Sequence, residues 1–112
     1  TASYAYTAGN GTIAIIVEDA ISAAVLGATD AGYTGVALMG TSLLPAHLEQ
    51  LQGYTGVIVA LDPDAYKKTL LYTQELRGQF PKNKVLAAKI ADDLKYRGEH
   101  DMVLIKELST FF

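Results

Sequence analysis

The sequence predicts an α/β domain of three layers, in which helices flank both faces of a mainly parallel, four-stranded sheet. Short apolar runs alternate with segments of good helix formers along the chain, as expected where each strand returns to the sheet through a helix. The first run, residues 12–17, is β-branched and almost unbroken, which is typical of a parallel strand covered on both faces. The 112 residues, half of them hydrophobic, are enough for one domain, residues 1–112, with a core of normal size.

The strands and helices can be assigned in chain order from these patterns. Residues 1–11 are small and polar, and they predict a loop that ends at the turn signal Asn10-Gly11. Strands are predicted at residues 12–17, 35–39, 57–61 and 84–88. Helices are predicted at residues 20–26, 44–52, 65–77 and 101–108.

Glycine and proline mark the ends of these predicted helices. The first helix is rich in alanine and is expected to stop near Gly27, and Gly78 is expected to end the third. Pro45 suits the first turn of the second helix. The apolar stripe predicted for the third helix consists of Tyr66, Leu70, Thr73 and Leu76.

Composition argues against several classes of function for this segment by itself. A net charge of −3 with scattered lysines and arginines argues against a domain that alone wraps a nucleic-acid backbone. The absence of cysteine removes thiol catalysis and thiolate metal sites, and the cytoplasm is the default compartment. No membrane partner is expected, because the apolar runs are far shorter than the roughly 20 residues that a span needs. Since the chain starts at Thr1 without methionine and ends at Phe111 and Phe112, we expect a fragment of a larger protein.

Acidic residues stand where two of the predicted strands end. Glu18 and Asp19 follow the first strand, and Asp62 and Asp64 follow the third. Because the carboxyl ends of neighbouring parallel strands face one crevice, these side chains are expected to converge. Two carboxylates about 5 Å apart repel by roughly 3 kcal/mol, which a bound divalent cation would reverse. The all-oxygen donor set favours Mg²⁺ or Mn²⁺ over zinc.

The same acids also allow a purely structural interpretation. Glu18 and Asp19 could cap the helix that follows them, and Asp64 could cap the next one. Either motif alone is common. Two acidic strand exits in one small domain are rarer, and together they favour the metal site.

Two further segments are weaker candidates for the site. The loop Gly40, Thr41 and Ser42 offers amides and hydroxyls near a helix N-terminus, where phosphate could bind with a basic residue such as Lys67. A capping turn explains that loop equally well. Asp92 and Asp93 could add an outer acid to the metal site, although a solvated loop is the simpler interpretation. His47 is expected at the surface or in a hydrogen bond between helices, rather than in catalysis.

The order of these motifs resembles the Toprim domain. The matching segments are Ile16-Val17-Glu18, then Ala37 to Ser42 with His47 five residues on, then Ala60 to Ala65. Toprim domains are shared by bacterial and phage primases, type IA and type II topoisomerases, and some nucleases and recombination proteins. The resemblance covers residues 13–94 and implies a Rossmann-like Toprim fold, and the glycine-threonine-serine loop followed by histidine looks most like the primase branch.

The resemblance implies roles for particular residues. Glu18 matches the family glutamate, which acts as general acid or base or contacts the metal, and Asp62 and Asp64 match the pair that coordinates magnesium. Asp92 or Asp93 falls where primases often carry a further acidic segment. Two positions depart from cellular primases, which usually have glycine at the place of Asp19 and aspartate at the place of Ser22.

A phage-type DNA primase, fused to or working with a helicase, is therefore the function expected of the intact protein. It would use Mg²⁺ (or Mn²⁺) to join nucleoside triphosphates into RNA primers on single-stranded DNA, in the cytoplasm of a bacterial or phage-infected cell. The segment lacks the basic template-binding part and the zinc module of primases, so we do not expect it to polymerise alone. Three alternatives stay open: a Toprim nuclease or topoisomerase fragment, a receiver-type phospho-acceptor domain, and a Toprim scaffold without catalysis.

Overall fold

A five-stranded, mostly parallel sheet with helices on both faces forms the computed structural model, which describes residues 4–40 and 42–112. The strands are β1 (Tyr6–Ala8), β2 (Ile13–Val17), β3 (Tyr33–Ala37), β4 (Gly56–Val59) and β5 (Val85–Ala87). The helices are α1 (Ala20–Thr29), α2 (Pro45–Leu51), α3 (Tyr66–Arg77) and α4 (Glu99–Ser109). Strand and helix alternate as predicted, and the α/β class is confirmed.

The strand order across the sheet is β1-β3-β2-β4-β5, so β2 lies at the centre. It pairs in parallel with β3, where Ile13 lies opposite Tyr33, and in parallel with β4, where Ile13 lies opposite Gly56. β5 pairs in parallel with the other side of β4. The exits of β2 and β4 therefore lie side by side at one edge of the sheet.

The predicted number of four strands is wrong by one, because part of the expected N-terminal loop is a strand. β1 pairs antiparallel with β3, with Tyr6 opposite Ala37. A three-residue edge strand is too short to show an alternating pattern in the sequence. The first helix also runs past Gly27 to Thr29. Gly27 lies against the backbone of Ala8, where a Cβ would overlap the carbonyl, so it serves close packing rather than the end of the helix.

Side chains of alternating positions on the strands fill two cores. Ile15, Val17 and Ile58 pack with residues of α1 and α4 on one face of the sheet. Ile16 and Val59 pack with residues of α2 and α3 on the other. Because β2 is covered on both faces, its unbroken apolar run is explained. In the part of the chain that the structure describes, no helix is both long enough and apolar enough to cross a membrane.

The buried face of α3 differs from the predicted stripe. Its buried residues are Thr69, Tyr72, Thr73 and Leu76. Leu70 is 44% exposed. The threonines can be buried because each finds a backbone partner: the Thr69 hydroxyl accepts from the Leu61 N–H at 3.3 Å, and the Thr73 hydroxyl donates to the Thr69 carbonyl at 2.7 Å. Threonines whose hydroxyl groups are hydrogen-bonded can thus occupy buried positions that an apolar pattern assigns to leucine.

Helix α1 lies very close to the sheet at Gly35 in β3. A Cβ at this position would overlap the backbone of Ala23 in α1. The absence of a side chain lets the helix lie directly on the strand.

Gly35→Ala is expected to lower the free energy of unfolding by about 3 kcal/mol, because the methyl group would push α1 away from the sheet. Urea unfolding followed by circular dichroism measures the change. Gly53→Ala is the matched control, since its Cβ would meet open space and its φ is not positive. Similar losses in both variants would contradict the packing argument.

Candidate functional site

Glu18 and Asp62 meet at the edge where β2 and β4 end. The ladder runs one residue beyond β4, because the Ala60 N–H donates to the Ile16 carbonyl at 2.9 Å. Glu18 directly follows Val17, the last residue of β2, and Asp62 follows Leu61 in the segment that continues the neighbouring strand β4. Their carboxyl groups are close enough to share a hydrogen bond. Both side chains are part-buried, so each carboxyl group is still open to water on one side.

Asp62 lies in strongly negative surroundings. Burial, followed by the hydrogen bond to Glu18 and the charges of Glu18, Asp19 and Asp64, raises the pKa of Asp62 to about 6. A carboxyl group among like charges keeps its proton to higher pH, because ionisation would add to the repulsion. The position between the two carboxyl groups thus attracts positive charge.

Asp19 and Asp64 differ in their structural roles. Asp19 caps α1, since its Oδ1 accepts the Ser22 N–H at 2.7 Å. The helix cap that the structural interpretation predicts for Asp19 is therefore present. The negative charge of the same carboxylate also helps to raise the pKa of Asp62. Asp64 is exposed in a single 3₁₀ turn before α3, and no side chain caps that helix. The expected cap from Asp64 does not form, and its carboxylate is free to face the site.

Asp93 lies on the loop after β5 and approaches the same cluster. Burial and then the charge of Asp62 raise the pKa of Asp93, while Lys95 opposes this shift. Lys95 Nζ lies 3.8 Å from the Asp93 carboxylate. Asp92 is exposed, and its Oδ1 accepts the Asp93 N–H at 2.8 Å. Of the two candidate outer acids, Asp93 is the one whose pKa is raised by the charge of Asp62.

Asp101 was missed by the sequence reasoning, and it holds this loop in place. Its carboxylate is 1% exposed and accepts the Ala91 N–H at 2.7 Å and the Asp92 N–H at 3.0 Å. The sequence did contain a signal. Asp101 shares the buried face of α4 with Ile105 and Ser109 at a spacing of four residues. A carboxylate on such a face requires partners.

The turn after β3 lies next to Glu18. The Met39 N–H donates to the Glu18 carbonyl at 2.8 Å, and Met39 and Gly40 both have positive φ, 56° and 78°. Gly40 and Ser42 are exposed beside this turn, and Thr41 lies outside the described residues. The phosphate-binding role of the loop stays a prediction.

His47 is buried rather than on the surface, and it bonds within its own helix end. Its Nδ1 accepts the Leu44 N–H at 3.0 Å. Burial lowers the pKa of His47, which keeps the ring neutral and leaves Nδ1 free to accept. Of the two expectations, the surface position is wrong, since the ring is buried, and the hydrogen bond that His47 makes lies within its own helix end rather than between helices.

Lys67 stands on the exposed side of α3 and lines a groove with Leu71 and Arg77. It is not among the charges that shift the pKa of Asp62 or of Asp93. Ser22 carries no charge, and its buried hydroxyl has no hydrogen-bond partner within the described residues. The first turn of α1 therefore adds no carboxylate beyond Asp19.

The donor set fits a hard divalent cation. Glu18 and Asp62 lie side by side in negative surroundings that a cation would neutralise, and the donor atoms of both side chains are oxygens. In residues 4–40 and 42–112 no group of three acids or histidines is drawn together tightly enough to enclose an ion. A cation would thus be held by the pair, with Asp19, Asp64 and Asp93 as the further carboxylates that interact with Asp62.

Asp62→Asn is expected to stabilise the metal-free protein at pH 7 by about 1 kcal/mol, because it removes a part-exposed carboxylate from three others. The folded protein holds the Asp62 proton more tightly than the unfolded chain does. Wild-type stability therefore falls as the pH rises from about 4, the ordinary carboxyl value, to the folded value of about 6. Thermal unfolding from pH 4 to 8 should show the gain growing over this range and then levelling off.

Asp30→Asn is the control of opposite sign for this experiment. The Gly32 N–H, followed by Lys106, lowers the pKa of Asp30, so its charged form is favoured by folding. Its replacement should destabilise the protein at pH 7. Destabilisation by both substitutions would contradict the repulsion assigned to Asp62.

Asp101→Ala is expected to lower the free energy of unfolding by about 3 kcal/mol, because two amides of the loop lose a buried acceptor. Amide hydrogen exchange at Ala91 and Asp92 should accelerate. Ser109→Ala tests the same buried face of α4, but its hydroxyl bonds only to the Lys106 carbonyl of its own helix. Unchanged exchange in Asp101→Ala would show that the loop is held by other contacts.

A comparison with known protein families identifies the type of domain to which these features belong. The family model described as Toprim-like matches residues 15–92, which contain both acidic strand exits and the turn after β3. Curated proteins and solved structures give no match. The match spans well over half of the chain, and it favours the Toprim interpretation over the receiver-type alternative. The chain belongs to the Toprim-like family.

Proposed function

We propose that this domain is the metal-binding catalytic part of a DNA primase, acting as a segment of a larger protein. Toprim domains occur in enzymes such as primases and topoisomerases. The observation that carries the proposal is the Glu18–Asp62 carboxyl pair at the carboxyl edge of the sheet, within the negative field of Asp19 and Asp64. A pair of this kind suits phosphoryl chemistry, in which charge must be neutralised and atoms aligned.

Glu18, Asp62 and Asp64 would hold Mg²⁺ or Mn²⁺. When bound, the ion supplies neutralisation of triphosphate charge and a lower pKa for an attacking hydroxyl. Asp62 must give up its proton to bind a cation, so affinity should rise with pH up to about 6 and then level off. Glu18 would be the residue that moves a proton during the reaction, and its backbone is held by β2 and by the Met39 N–H on its carbonyl.

Contacts to the substrate phosphates and to the template would come from different parts of the intact protein. The exposed turn at Gly40 and Ser42 adjoins Glu18 and offers polar groups for the phosphates of a nucleoside triphosphate. Single-stranded DNA needs cationic contacts that a domain of charge −3 does not supply at its acidic edge. Other parts of the intact protein, or a helicase partner, would provide them.

Asp62→Ala and Asp64→Ala, each made in the full-length protein, are expected to reduce RNA primer synthesis about 100-fold or more, because each removes a cation ligand. The assay supplies nucleoside triphosphates, single-stranded DNA and Mg²⁺. Isothermal titration with Mg²⁺ on the same variants should show the matching loss of affinity.

Glu107→Ala serves as the matched control, since this acid lies exposed on α4. Wild-type primer synthesis by the Asp62 and Asp64 variants would refute the proposal. Cleavage or relaxation of DNA in place of synthesis, lost in the same two variants, would replace the primase by a Toprim nuclease or topoisomerase.

A further inference from the structure

A groove of about 410 Å³ runs between the outer side of α3 and β5. Leu70 and Leu71 contribute its apolar wall and are 44% and 53% exposed. Lys67 and Arg77 also line it, whereas the lining contains no acidic residue. Its volume is within the range of pockets that bind ligands. The groove thus combines exposed leucines with two cationic side chains.

The floor of the groove is the open edge of the sheet. β5 is the last strand in the order, and it pairs with β4 on one side only. Leu86 lies opposite Ile58, and the Ala88 N–H donates to the Val59 carbonyl, so the polar backbone groups of these two residues face β4. By the alternation of a strand, those of Val85 and Ala87 face outward.

The outward carbonyl of Val85 has a side-chain partner, whereas the outward groups of Ala87 are available. Arg77 Nε donates to the Val85 carbonyl at 2.9 Å, which closes one end of the edge. Ala87, which lines the groove, has no such side-chain partner among the described residues. An unpaired N–H and carbonyl on an edge strand form a template for another strand.

Charge indicates which kind of strand would bind. Lys67 and Arg77 line the groove, and Lys89 follows β5 with its Nζ 5.3 Å from the centre of the Tyr66 ring. These cations stand out in a chain with a net charge of −3. Carboxylates of a bound segment would be attracted, and a second copy of this edge would bring like charges together.

We propose that the groove between α3 and β5 binds an extended acidic peptide segment of a partner protein, which adds a strand to the edge at Ala87. Its backbone pairs with Ala87, its apolar side chains pack on Leu70 and Leu71, and its carboxylates lie beside Lys67 and Arg77. None of the acids of the candidate metal site lines this peptide site. A nucleic-acid strand fits less well, because no aromatic side chain lines the groove for base stacking.

The test uses a fluorescein-labelled octapeptide of sequence Asp-Asp-Leu-Leu-Asp-Asp-Leu-Leu, which places both residue types on each face of a strand. Fluorescence anisotropy should show saturable binding, and exchange of the Ala87 amide hydrogen should slow in the complex. Leu71→Asp should weaken binding about tenfold or more, because the apolar contact of Leu71 is lost and the new carboxylate repels those of the peptide. Val103→Asp is the matched control, since Val103 is 50% exposed on α4, and it should leave the affinity unchanged.

Four results would overturn the proposal. They are no binding of the octapeptide, equal binding of a version N-methylated at alternate residues, displacement of the peptide by an eight-nucleotide oligo(dT), and a dimer in sedimentation that Leu71→Asp dissolves. The second would remove strand pairing, the third would make the groove a nucleic-acid site, and the last would make it an interface between copies of this chain. Since no metal is added, failure here leaves the proposed catalytic function untouched.

Discussion

The parallel pairing of β2 with β4 is the constraint on which the candidate site depends. Ile16 lies opposite Val59, and the ladder continues through the Ala60 N–H to the Ile16 carbonyl. A slip of one residue would turn every side chain to the other face and move Asp62 along the sheet by about 3.3 Å. The register is secured by burial on both faces, since Ile15 and Ile16 pack into opposite cores. The apolar core thereby holds two acids together against their mutual repulsion.

This arrangement makes structural and functional explanations of the acids compatible. Asp19 caps α1 and also contributes charge to Asp62, so one side chain begins a helix and shapes the site. Asp101 is buried and accepts hydrogen bonds from two amides of the loop after β5. Asp93 lies on that loop, and the charge of Asp62 raises its pKa. A cap or a buried hydrogen bond therefore does not argue against a role in metal binding. Such contacts are how a small domain fixes the positions of repelling groups.

The sequence predicted those parts of the fold and site that local patterns encode. Buried parallel strands are continuous apolar runs, so β2 and β4 and the acids after them could be identified. The edge strand β1 could not, because three residues carry no period and their pairing with β3 is set by tertiary contact. The spacing of Asp101 with Ile105 and Ser109 indicates that it is buried, but its partners on the loop after β5 could not be foreseen, because that contact is tertiary. Gly27 illustrates the same limit, because its partner, Ala8, is distant in the chain.

The proposed peptide groove and the candidate metal site share one connection. β5 forms the floor of the groove, and the chain after it leads through Ala88 to Asp93. A strand added at Ala87 would order β5, and Asp101 fixes the next segment through its bonds to Ala91 and Asp92. If partner binding moves Asp93 and thereby changes the affinity for the cation, then cation binding must change the affinity for the partner by the same factor. The stiffness of the Asp101 contacts then decides whether the two sites communicate, because a loop already held by buried hydrogen bonds has little freedom left to lose.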